Sequence, residues 1–85
     1  MKIQLRFFAS VREKLACSSE LIECDSEIKT AADLRRHLQA RGGVWAQALA
    51  QDSALRMAYD QKMAHDDQLL SEGGELAFFP PVTGG

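Results

Sequence analysis

The chain of 85 residues predicts one α+β domain in which a mixed sheet curls over a single main helix. Three observations point there. Apolar and polar residues alternate near both ends of the chain, at Lys2 to Phe7 and at Glu75 to Phe79, with the two-residue period of half-buried strands. Between them, the segment opening at Thr30-Ala31 carries the apolar spacing of a helix behind a capping signal. The length allows one core and leaves no room for a second domain. With 46% apolar and 26% charged residues, the composition is that of a folded globule and excludes disordered or fibrous classes.

In the first strand Ile3, Leu5 and Phe7 share a face, and Phe8 points the other way. Ala9 to Leu15 is expected to form a short helical turn, since Val11 and Leu15 stand four apart. Glu20 to Asp25 is a second strand able to pair with the first. Leu21 and Ile22 fall on its opposite faces, so the pattern leaves its inward face open. Thr30 is the N-cap of the main helix, and the carboxylate of Asp33 three residues on meets the positive end of the helix dipole. Ala31, Leu34 and Leu38 make the buried face, Arg35, Arg36 and Gln39 are expected to face water, and Gly42-Gly43 to end the helix. Val44 to Ala50 reads as a second short helix with Trp45 in the core. Alternation then returns, with Leu55, Met57 and Tyr59 on one face and Arg56 and Ala58 on the other. Asp60-Gln61-Lys62 turns the chain and Met63-Ala64-His65 returns as a short strand. Glu72-Gly73-Gly74 is a stronger turn, and in the strand behind it Leu76 and Phe78 point inward while Ala77 and Phe79 point outward. Strands at both chain ends around one helix suit the β-grasp, ubiquitin-like architecture, whose sheet has one face under the helix and one open. An outward Phe on an open face wants a partner.

The formal net charge of -2 gives no field strong enough to grip a phosphate backbone, so nucleic acid is an unexpected partner. Met1 to Val11 lacks the unbroken apolar core of a signal peptide and no stretch is long enough to span a bilayer, so a cytoplasmic location without membrane contact is expected. Cys17 and Cys24 have no metal-ligand spacing and read as reduced structural residues. No second ligand stands near His37 or His65, which are taken as solvated, and no metal is expected. Asp60, Asp66, Asp67, Glu72 and Glu75 face only Lys62 in residues 60 to 85, a solvated surface that also suits steering of a basic partner.

All six glycines fall in adjacent pairs, and the third pair, Gly84-Gly85, has nothing to turn into. At about 7% glycine usage a chain would close on Gly-Gly by chance about one time in two hundred. Before it, Pro80-Pro81 removes two backbone donors, ends sheet pairing and stiffens the exit. The expected organisation is therefore a domain over residues 1–80 and an extended tail over 81–85. Extended, that tail carries the terminal carboxyl at most about 16 Å beyond the sheet, far enough to enter another protein's active site. With no side chains on Gly84 and Gly85, a narrow channel can hold the backbone by its N–H and C=O groups. A carboxylate at Gly85 is a poor electrophile and needs activation, most simply as a mixed anhydride with AMP. The chain has no phosphate-binding loop, so no cofactor is expected in it, and the ATP belongs to a separate activating enzyme. Once adenylated, the acyl carbon can accept sulfur and become a thiocarboxylate.

The ending Phe78-Phe79-Pro80-Pro81-Val82-Thr83-Gly84-Gly85 and the run before it from Glu72 closely resemble the end of the small, sulfur-carrier subunits of molybdopterin synthase. Leu5 to Glu13 and the Ala32 to Leu38 segment extend the resemblance over most of the chain. It implies a β-grasp fold and a heterotetramer of two large and two small subunits, each tail inserted in a large-subunit active site. It also implies that a ubiquitin-activating-like enzyme adenylates Gly85, that a sulfur donor converts it to the thiocarboxylate, and that this supplies sulfur to cyclic pyranopterin monophosphate for the molybdopterin dithiolene. By position, Phe8, Met63 and Phe79 match the contact patch of that family. Pro80, Pro81, Val82 and Thr83 join them in partner binding, and Gly84 and Gly85 form the functional tail. Two departures stand out: Gly74 replaces a common Asp, and Tyr59-Asp60 replaces a common Val-Asn.

An exposed apolar patch usually marks a binding site, and one helix leaves little to cover Phe8 and Phe79. Met63 suits a core as well as an interface. Rival readings are a carrier feeding thiazole synthesis, a ubiquitin-like modifier joined to lysines, and a non-covalent interaction module.

Overall fold

The computed structural model describes residues 1–51 and 53–81, so the expectations for Val82, Thr83, Gly84 and Gly85 lie outside the described residues. The elements run β1 (Lys2–Phe7), α1 (Ala9–Leu15), β2 (Ser19–Glu23), α2 (Ala31–Gln39), α3 (Gly43–Ala48), β3 (Arg56–Tyr59), β4 (Lys62–Ala64) and β5 (Glu75–Phe79). They build one five-stranded sheet in the order β2-β1-β5-β3-β4. The two terminal strands, β1 and β5, lie side by side and parallel, and the other pairings are antiparallel. This is the expected mixed-sheet β-grasp arrangement. Against the expected bounds, β2, β4 and α3 each begin one residue earlier, and all three end earlier.

Alternation decides which face of the sheet is buried. Ile3, Leu5 and Phe7 of β1 meet Leu76 and Phe78 of β5 and Met57 and Tyr59 of β3, and Ala31, Leu34 and Leu38 of α2 complete the same core with Val11 and Leu15 of α1. Phe7 stacks on Phe78 with ring centroids 6.0 Å apart. The register Ile3–Ile22 turns Ile22 inward and leaves Leu21, opposite Gln4, exposed, which settles the face of β2. Cys24 is buried beyond it, and burial pushes its thiol pKa up. Cys17 is half-buried, and both cysteines are free thiols.

At the start of α2, Thr30 Oγ1 accepts from Asp33 N at 3.2 Å while Asp33 Oδ2 accepts from Thr30 N at 3.0 Å, a reciprocal cap. The helix stops at Gln39, ahead of the glycine pair. Arg41 N donates to Leu38 O and Gly42 N to Gln39 O, which tightens the last turn, and Gly42, at φ 77°, instead opens α3. Arg35 also departs from expectation. It is buried, because α3 and the chain after it cross the face that a lone helix would give to water. Its Nε donates to Leu49 O at 2.8 Å and its Nη2 to Ala50 O at 2.6 Å. Gln39, also expected in water, is half-buried and donates to Leu49 O. Arg36 is exposed and pairs with Asp33 at 2.7 Å.

Trp45 is half-buried against the core, edge-on to Phe7 at 5.5 Å. Arg41 covers the other side of the indole at 4.4 Å from the ring centroid and is held there by Glu20 of β2. The β3–β4 hairpin turns through Asp60 and Gln61, both at positive φ, as a two-residue loop requires. Asp60 N donates to Glu75 O and Glu75 N to Asp60 Oδ1, which ties the hairpin to the start of β5.

Candidate functional site: the open face of the sheet

Every second residue of the strands faces away from α2. The register sets Met63, Ala58, Ala77 and Arg6 in one row across β4, β3, β5 and β1, with Arg56 and Phe79 paired in the next row. Phe8 N donates to Phe78 O at 3.1 Å, so the parallel β1–β5 pairing runs past Phe7 and brings Phe8 beside Phe79. Phe8, Ala58, Ala77 and Phe79 then line a shallow groove of about 400 Å³ together with Arg6, Gln61 and Glu75. Two alanines facing each other across β3 and β5 make its floor. Arg6 Nε donates to Glu75 Oε1 at 3.0 Å, so the two charges on its wall are paired.

The structure places three of the residues singled out from the sequence on this face, Phe8 and Phe79 in one groove and Met63 apart from them on the edge strand β4, where it lines a separate cleft. Phe8 is 46% and Met63 63% exposed, so Met63 is a surface residue and the core alternative for it falls away. Phe79 faces outward as expected but is half-buried. Ala77 also faces outward, yet it is nearly inaccessible, being flanked by the longer Glu75, Phe79 and Arg6. Pro80 and Pro81 follow β5 and border a second, smaller cleft of about 220 Å³, whose other walls are α1 at Ser10, Val11 and Lys14, Ala48, and the segment Ser53–Leu55. The chain therefore leaves the sheet at the same end as the Phe8–Phe79 pair. Sequence reasoning missed Arg6 and Ala58 as parts of this surface. Alternation shows that they face outward, but only the cross-strand register makes them neighbours of Ala77.

Among the described residues no three His, Cys, Asp or Glu side chains gather as a metal site, and no helix is long and apolar enough to cross a membrane. His37 and His65 are both exposed. The surface is aromatic at the exit of the chain, small-floored in the middle, and charged but internally paired at the far end.

Comparisons with known proteins agree with this fold. The ThiS family model matches residues 5–85. The molybdopterin synthase sulfur carrier subunit of Escherichia coli is 41% identical over 83 residues, covering 98% of this chain and 99% of that protein. Small archaeal modifier protein 3 of Haloferax volcanii is 30% identical, with both chains fully covered. Among solved structures, a putative molybdopterin converting factor subunit 1 from Pyrococcus furiosus superposes with a TM-score of 0.79 at 21% identity, over 96% of this chain and 99% of that one. A complex of subunits 1 and 2 of the molybdopterin-converting factor from Helicobacter pylori contains a chain matching at a TM-score of 0.69 and 21% identity, with full coverage of both. At that identity the two structures establish the shared fold, and the sequence matches establish the kinship. The chain belongs to the ThiS family and is a homologue of the molybdopterin synthase sulfur carrier subunits.

Proposed function

We propose that this chain is the sulfur-carrying small subunit of a molybdopterin synthase, with the carboxyl of Gly85 as its reactive group. The observation that carries the reading is the end-to-end similarity to a sulfur carrier subunit at 41% identity in a chain whose last residues are Pro-Pro-Val-Thr-Gly-Gly. The open face supports it: an apolar surface beside the exit of the chain suits a protein whose terminus acts inside a partner.

In this reading a separate activating enzyme attacks ATP with the Gly85 carboxylate, forming the acyl adenylate and releasing pyrophosphate. A donor persulfide displaces AMP, and a thiol then cleaves the S–S bond, leaving the thiocarboxylate on Gly85. Docked on the large subunit through Phe8, Met63 and Phe79, with Pro80, Pro81, Val82 and Thr83 leading inward, the thiocarboxylate sulfur attacks an oxygen-bearing carbon of cyclic pyranopterin monophosphate, forming a C–S bond as that carbon's C–O bond breaks and the oxygen leaves. Hydrolysis of the resulting thioester returns the carboxylate, and two loaded carriers are consumed per dithiolene. The chain contributes no catalytic side chain of its own. Gly84 and Gly85 are chosen for slimness, since a channel closing on backbone alone leaves no space for a Cβ.

Intact mass spectrometry of the protein purified from cells tests the chemistry: a sulfur-for-oxygen increase confined to the C-terminal peptide is expected. Deleting Gly85 should abolish pterin sulfuration in the reconstituted system, and sulfuration that survives the deletion would end the carrier reading. The similarity to a small archaeal modifier protein favours one second reading, attachment to lysines, which the same spectra would reveal as a protein adduct.

A further inference from the structure

Arg35 lies at 5% exposure in the middle of α2, and among the described residues its side-chain hydrogen bonds go to the chain that follows α3. Nε and Nη2 hold the consecutive carbonyls of Leu49 and Ala50 at 2.8 and 2.6 Å, and Nη2 reaches Ser53 Oγ at 3.4 Å. Ser53 Oγ in turn donates to Ala50 O at 2.6 Å, and Leu55 N donates to Ser53 O at 2.9 Å. One planar guanidinium thus clamps residues 49, 50 and 53 at fixed spacing, a task its rigid fork suits better than a flexible ammonium would.

The clamped segment has a second side. Ser53, Ala54 and Leu55 border the cleft whose opposite wall is Pro80 and Pro81. The next residue, Arg56, begins β3 and is paired with Phe79, the last residue of β5. The Arg56–Phe79 pair is therefore the last rung of the sheet before the chain leaves it. We infer that Arg35 is a positioning residue for the C-terminal tail: it fixes the segment that frames Pro80-Pro81 and with it the rung from which the tail departs.

This inference rests on the reading of Gly85 as the reacting group, because its consequence is leverage. A fully extended span of five residues reaches about 16 Å, so a tilt of about 10° at the rung displaces the far end of such a span by about 3 Å. A misplacement of about 1 Å can cost about a hundredfold in rate when reacting atoms must be held in near-attack geometry. A change at Arg35 is thus felt in turnover although Arg35 touches no substrate.

The test uses the full chain with the activating enzyme and ATP, following pyrophosphate release, and compares wild type with Arg35→Met, Arg35→Lys and Ser53→Ala. For folded Arg35→Met, kcat is expected to fall about tenfold or more with KM within about twofold, while amide exchange quickens at Leu55, Arg56 and Phe79 and not in β2. Arg35→Lys should recover part of both effects. Ser53→Ala, which removes the hydroxyl and leaves the guanidinium in place, should lose about threefold, and it carries the test if Arg35→Met does not fold. Unchanged kcat in folded Arg35→Met, or in folded Ser53→Ala where Arg35→Met does not fold, would overturn the inference. So would losses that merely track the unfolded fraction. A wild-type chain that is never adenylated at Gly85 would instead take down the carrier reading and this inference with it.

Discussion

Tyr59 and Gly74, the two positions where the resemblance to the family is least exact, are joined in the structure. The Tyr59 ring lies buried against the turn before β5, and its hydroxyl accepts from Ser71 N at 2.8 Å. A Cβ on Gly74 would collide with that hydroxyl and stand 2.5 Å from Cζ of the ring. Since the hydroxyl is anchored, the ring cannot simply swing away, so Tyr59 requires a glycine at position 74. Gly74→Ala is expected to cost about 1–3 kcal/mol in denaturant unfolding, the range for overfilling a packed site. In a Tyr59→Val background, where the ring is gone, the same change should cost about 0.5 kcal/mol or less, giving a coupling of about 0.5 kcal/mol or more. Additive losses across the cycle would show that the two positions are independent. From sequence alone the two residues stood fifteen positions apart with no reason to be linked, because their link is a steric contact across a turn.

The elements themselves were readable where their causes are local. The α2 cap was visible as Thr30 followed by an acid, and it forms as a reciprocal pair, with the backbone N–H groups of Lys29 and Thr30 holding the Asp33 carboxyl below its ordinary pKa. Thr30→Ala should therefore cost about 1 kcal/mol of folding stability in urea titration. Because the folded pKa of Asp33 is depressed, its contribution is complete above the unfolded value of about 3.9 and is lost as pH falls through the lower, folded one. Asp33→Asn is expected to flatten the decline of stability below about pH 4, and an acid limb as steep as wild type would count against that origin. What failed was whatever depends on a neighbouring element. Arg35, one turn after the buried Ala31, flanks the inner face of α2 and Gln39 continues that flank, and no period reports that α3 and residues 49–51 and 53 will cover them. Likewise the glycine pair was read as a stop for α2, when the turn at Ala40–Arg41 already ends it and Gly42 serves the entry to α3.

Taken whole, the molecule is two-sided about one strand. In β5 successive residues alternate between duties: Leu76 and Phe78 fill the core, while Ala77 and Phe79 belong to the open face. That strand is also central, hydrogen-bonded to β1 on one edge and β3 on the other, so the chain that leaves it is rooted in the best-supported part of the sheet. Central placement has an experimental consequence. Truncating Phe79 disturbs folding and docking together, since it is already half-buried, whereas Phe8 and Met63 are largely free in the isolated chain. Phe8→Ala and Met63→Ala should each alter folding stability by about 0.5 kcal/mol or less, as ordinary surface changes do. Burial of the same side chains against a large subunit is worth about 1.5–3 kcal/mol apiece, so each truncation is expected to weaken association about tenfold or more by calorimetry. Affinity unchanged within about twofold in both variants would mean that the partner docks elsewhere, on the β2 edge around Leu21 or along α1, and the open face would lose its claim to be the interface.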